Sequence, residues 1–204
     1  MGRKFLLALS LFAVSFLVHD VKAQGGYVNR TILGCTLGIS TPEQVKNIVQ
    51  KRGGKILGTT VPSPYKKAYA VKGLEYAGFK TSHSIFHFHR GRLAMITLSF
   101  DNLGPGVILE GKLMKVSEAV EQKLVKKYGD LEVISSDTTS KDVSFEPDTK
   151  ETTTTISKSA SDLHTILYFS VVTKVYGYVI LRDIGIVVYA DRPSMRDVRV
   201  DDDI

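Results

Sequence analysis

Cysteine is almost missing from this sequence: Cys35 is the only one in 204 residues. A single thiol cannot close an intrachain disulfide, so the fold must be held by its core. Proline is also scarce, at six. That scarcity argues against a mucin-like reading of the four threonines at 152–155 and favours an exposed pair of strands there. Beyond the N-terminal segment, no run is long and apolar enough to span a bilayer. There is no phosphate-binding glycine loop, nucleophile elbow, Cys-x-x-Cys pair or His-Glu-x-x-His helix. These absences remove the familiar signatures of phosphoryl transfer, acyl hydrolysis, thiol redox chemistry and zinc proteolysis. No catalytic residue and no cofactor is assigned.

The N-terminus has the three parts of an export signal in order. Gly2, Arg3 and Lys4 are basic in character, 5–18 is apolar, and Val21-Lys22-Ala23 ends in a small-residue cleavage pattern. Residues 1–23 are therefore expected to be removed, placing the protein in the periplasm or outside the cell. Ile32-Leu33-Gly34-Cys35 has the form of a lipoprotein cleavage box, but Asp20, Lys22, Asn29 and Arg30 separate it from the apolar segment. The better reading of Cys35 is a buried thiol in an extended segment.

The net charge of +6 is unevenly spread. Positions 41–128 carry fifteen Lys/Arg against six Asp/Glu, and positions 129–204 carry eight against fourteen. Such a split concerns partners, or how the two parts meet. It does not indicate nucleic acid, because the cations are scattered and the chain is read as exported.

The chain is organised around the stretch 81–101. Two alternating runs flank Arg90-Gly91-Arg92, which reads as a β-hairpin. Period two puts Phe86 and Phe88 on one face and His83, Ile85, His87 and His89 on the other. On the second strand it groups Ala94, Ile96, Leu98 and Phe100 against Leu93, Met95, Thr97 and Ser99. A short extended segment is expected at 31–37. A helix follows from Thr41-Pro42-Glu43-Gln44, a capping box with proline at the first helical position, and stops at Gly53-Gly54. Strands are expected at 55–60 and 65–75. A second helix carries Leu113, Val116, Val120 and Leu124 and ends at Gly129. Strands are then expected at 131–135, 164–172, 177–182 and 184–189, and 192–204 reads as a polar tail. The fold class is α+β: two tandem helix-plus-antiparallel-sheet units, 24–111 and 112–191, after a cleaved signal peptide.

Leu37-Gly38-Ile39-Ser40-Thr41-Pro42-Glu43-Gln44-Val45, with the Arg90-Gly91-Arg92 hairpin, resembles small exported bacterial repeat proteins. The similar groups are outer-membrane assembly lipoproteins of the SmpA/OmlA type and the tandem-repeat β-lactamase inhibitor proteins. The Lys126-Lys127-Tyr128-Gly129 helix end is similar to that of uncharacterised secreted proteins of the Bacteroidetes. The resemblance implies a helix-on-sheet scaffold that binds another protein and is not an enzyme. Two departures stand out: the assembly lipoproteins carry a lipidated N-terminal cysteine, and the inhibitors carry disulfides.

The one constellation with possible chemistry is His83, His87 and His89. His87 and His89 lie two apart on a strand, with Cβ atoms about 7 Å apart on one side. That pair could chelate zinc, but His83 is four residues away and the strand offers no Asp, Glu or Cys. The plainer reading is a polar sheet face with histidines beside water. Nucleophilic catalysis by Cys35 with one of these histidines is disfavoured by its apolar surroundings. Two functions therefore compete: an envelope binding module that contacts a protein through its sheet faces, and a histidine-based metal-binding or hydrolytic protein. Arg90, Arg92, Lys66 and Lys67 are the candidate binding cations.

Overall fold

The computed structural model describes residues 28–59, 67–102, 107–109, 112–142, 150–176 and 179–201. The expected signal peptide and Lys66 lie outside these residues. The first helix, α1 (Pro42–Lys51), is set by its cap. Gln44 donates its N–H to Thr41 Oγ1 at 3.3 Å, and Thr41 donates its own to Gln44 Oε1 at 2.9 Å. Such a cap is worth about 1 kcal/mol. Pro42, Val45 and Val49 are buried and Ile48 is half-buried, so the expected stripe is the packed face.

The central hairpin forms as β7 (His83–His89) and β8 (Arg92–Asn102). Arg90 and Gly91 both have positive φ, +47° and +75°, which is the signature of the two-residue turn matched to strand twist. Around this hairpin an eight-stranded, wholly antiparallel sheet is built. Its remaining strands are β3 (Lys55–Gly58), β4 (Lys67–Lys72), β11 (Glu132–Asp142), β12 (Lys150–Ser161), β13 (Thr165–Tyr176) and β14 (Val179–Asp191). The spatial order is β11-β12-β13-β14-β8-β7-β4-β3. The late strand β14 therefore pairs with the early strand β8, from Asp183 opposite Asn102 to Ala190 opposite Met95.

One face of the sheet carries both amphipathic helices. Val45 and Val49 of α1, and Val120 and Leu124 of α2 (Val116–Tyr128), pack with Phe86, Phe88, Ile96, Leu98, Phe100, Leu167, Phe169 and Val187. Full burial of a side chain of this size contributes about 1.5–3 kcal/mol. The opposite face holds a second apolar cluster that includes Ile85, Met95, Ile186 and Val188. Its helical member is Met195, from α3 (Arg192–Asp201).

Several expectations are corrected. The segment 164–189 forms two strands of twelve and thirteen residues, not three short ones. Leu113 belongs to β10 (Lys112–Met114), paired with β9 (Val107–Leu109), and helix α2 starts three residues later. The extended segment near Cys35 is a pair of two-residue strands, β1 (Thr31–Ile32) and β2 (Cys35–Thr36), and a second such pair, β5 (Glu75–Tyr76) and β6 (Phe79–Lys80), follows β4. The expected polar tail is helical through Asp201, with Met195 buried. A register shift at His87/Phe88 places Leu93, not Ala94, with Phe88 in the first cluster. Ala94 joins Met95 in the second cluster, because one extra residue reverses the alternation.

Candidate functional site

The histidine strand is not a row of ligands beside water. His87 is fully buried, with Ala68 and Met95 directly opposite it on the neighbouring strands. Burial alone pushes its pKa down to about 3, so at neutral pH it is an uncharged member of the second cluster. His83 sits opposite Ser99, and His89 pairs with Arg92 beside the turn. Among the described residues, no group of three His, Cys, Asp or Glu side chains is placed to hold a metal ion. Cys35 is also buried, and desolvation raises its thiol to about pKa 11, the charge of Arg52 opposing this. It is far from the thiolate a nucleophile requires.

The candidate cations are placed differently. Lys67, Arg90 and Arg92 are all exposed and lie at the same end of three adjacent strands, because Lys67 pairs with Phe88 one step before the turn. Sequence reasoning missed what else gathers there. The organising group is Asp191, which is buried where β14 ends. Its Oδ2 accepts the Ser194 N–H at 3.0 Å and the Ser194 hydroxyl at 2.6 Å, starting α3. Its Oδ1 accepts Arg30 Nη2 at 2.9 Å. Asp191-Arg192-Pro193-Ser194 is a helix-start pattern, with an acceptor at the cap and proline in the first turn, and so was readable in the sequence. Arg30 Nη2 also donates to the Leu37 carbonyl at 3.0 Å, tying the chain before α1 to the C-terminal helix. Gly38, at φ +73°, passes so close that a Cβ there would lie 2.5 Å from Arg30 Nη2 and 2.8 Å from Asp191 Oδ1. Any side chain at this position would break the junction. Arg92 Nη1 donates to the Ile39 carbonyl at 2.9 Å, and Leu93 accepts from Gly38 at 2.7 Å.

Asp162, in the β12–β13 connection, completes this end. Burial opposes its ionisation, but N–H groups of His164, Val28 and Thr165 outweigh it and hold the carboxyl below its usual range. Arg192 donates its N–H to the His164 carbonyl at 2.9 Å, linking this turn to α3.

Two other polar centres lie under the helices. Asp183 is buried on β14, where it accepts hydroxyl hydrogen bonds from Ser117 and, at 3.2 Å, from Thr173. Lys115 is 3.9 Å away. The carboxylate thus meets the first turn of α2, where the helix dipole favours negative charge and the N-cap Lys115 makes no side-chain cap. A cavity of about 200 Å³ adjoins it, walled by Phe169, Ile156 and the Lys158–Glu121 ion pair. Near the other end of α2, the Tyr189 hydroxyl bonds both Tyr76 and, at 3.2 Å, Tyr128. Burial raises the pKa of Tyr189 and Tyr76, so both of these hydroxyls stay protonated.

No protein-family model matches this chain, and neither a curated protein nor a solved structure matches it.

Proposed function

We propose that the protein is an exported, non-catalytic binding module of the cell envelope that contacts another protein through sheet surface left open by its helices. The supporting observation is the outer wing of the sheet. Residues 136–140 of β11 are exposed in unbroken succession, and β12 is at most half-buried over 151–156. On the face beside α2, exposed Val133 and Ile156 adjoin one end of a hydroxyl ladder, with Thr138 Oγ1 3.4 Å from Thr154 Oγ1 and Ser140 Oγ 3.1 Å from Thr152 Oγ1. Apolar side chains beside groups that can both donate and accept suit a protein contact. The central strands are buried on both faces, so the contact expected of the sheet faces falls to this wing.

The finer fold reading belongs to the same proposal. A helix followed by strands that run outward to inward occurs twice, and the innermost strands, β8 and β14, meet at the middle of the sheet. Two tandem units related by approximate twofold symmetry account for that order, and export rests on the pattern at 1–23. The test is affinity capture from an envelope extract with wild-type protein and a Val133→Lys/Ile156→Lys double variant of unchanged thermal stability. A specific partner held by the wild type and lost with the variant supports the reading; equal capture by both overturns it.

A further inference from the structure

At the end of the sheet organised by Asp191, two kinds of exposed side chain recur. Lys67, Arg90, Arg92 and Arg196 are cations. Ile39 and Leu163 are large apolar residues on loop tips, 56% and 78% exposed. The two buried or half-buried carboxylates of this end turn inward, Asp191 to Arg30 and Ser194, and Asp162 to three backbone N–H groups, while exposed Glu43 stands in the first turn of α1 and exposed Asp130 just before β11. Exposed Glu132 lies to the side, on the outermost strand. The Leu163 turn joins β12 to β13 and the Arg90 turn joins β7 to β8. Three strand spacings separate them, or about 14 Å. Ile39 stands between them, held to the start of β8 by Arg92. Both tips are braced: Ile39 by the Gly38–Leu93 and Arg92 bonds, Leu163 by the Asp162 and His164–Arg192 bonds.

We propose that this end docks the protein on an anionic lipid surface, with Leu163 and Ile39 entering the headgroup region and Lys67, Arg90, Arg92 and Arg196 facing lipid phosphates. Two braced aliphatic tips on separate loops, with the Arg90 turn and Lys67 continuing the row beyond Ile39, fit a laterally fluid interface. A protein partner would favour one contiguous apolar patch at the centre of the contact. Guanidinium groups also match phosphate oxygens two at a time.

The experiment is co-sedimentation of the full chain with phosphatidylglycerol/phosphatidylcholine vesicles and with phosphatidylcholine vesicles alone, for wild type, Leu163→Ser, Ile39→Ser and Arg90→Ala/Arg92→Ala. The N-terminal apolar segment is common to all four proteins, so differences report on this surface. All substituted residues are exposed, and thermal melts confirm that each variant folds. Binding is expected to need the anionic lipid and to weaken with salt. It should fall about fivefold for each arginine removed and about tenfold for Leu163→Ser. Equal binding to both vesicle types, no binding to either, or identical binding by all four proteins would overturn the proposal. So would binding to soluble polyglutamate with no binding to vesicles, which would mark an acidic-protein site instead.

Discussion

His87 shows how a residue can be read correctly for direction and wrongly for environment. Period two in 83–89 puts it on the face opposite Phe86 and Phe88, and it is there. Its burial was not legible, because alternation says which face a side chain joins and not what covers that face. The consequence is a pH dependence. The folded-state pKa of about 3 lies below the value near 6.5 of an unfolded histidine. Above pH 6.5 both states are neutral at this site and nothing is lost. As pH falls from 6.5 toward 3, the unfolded chain takes up a proton that the folded chain refuses, and stability declines by up to about 1.4 kcal/mol per unit. Urea unfolding at pH 7 and pH 5 should therefore show wild type losing about 2 kcal/mol more than a His87→Gln variant. Parallel losses in the two proteins would mean that His87 titrates freely in the native state.

Elements were legible where a local chemical signal marks their ends. The α1 cap, the Arg90-Gly91 turn and the Gly129 stop all fell where the residues place them. Misreadings arose where distant packing decides. The break expected at Asp183 did not occur, because pairing with β13 on one side and β8 on the other carries β14 through, and the strand expected to end at Val172 runs on to Tyr176. Helix α3 reads as tail in the sequence, because its polar composition outweighs the Asp191-x-x-Ser194 start signal. Seating of α2 was also beyond the sequence, since Ser117 and Asp183 are 66 positions apart. That pair gives a second prediction. Ser117→Ala removes a hydroxyl donor from a buried carboxylate and should cost about 1.5–3 kcal/mol. Glu118→Ala, on the exposed side of the same turn, should change stability by less than about 0.5 kcal/mol. Denaturant melts giving equal values for the two variants would show that the Asp183 bond does not anchor the helix.

The charge split along the sequence poses a question that only the whole molecule answers. Positions 41–128 are strongly basic and 129–204 acidic, so the two parts could be joined by attraction between exposed charges or by a shared core. The sheet order decides in favour of the core. The β8–β14 pairing runs through its centre, Leu98 lies opposite Val187, and both are buried in the cluster that also holds α1 and α2 residues. The Tyr76–Tyr189–Tyr128 hydroxyl chain crosses the same boundary, and Arg30, just before the basic part, is bound to Asp191. Salt at 0.15 M screens exposed charges beyond about 8 Å, whereas apolar burial and a bond to a buried carboxylate are affected far less. Heating should therefore unfold the early and late strands in one transition, with calorimetric and van't Hoff enthalpies equal. Moving from low to moderate salt should shift its midpoint by no more than about 2–4 °C, the effect of about 1 kcal/mol in a chain of this size. Two resolved transitions would mean that β8 and β14 separate before either part unfolds. A single transition that falls steeply with salt would assign the joining of the two parts to their opposite charges instead of to Leu98, Val187 and their neighbours.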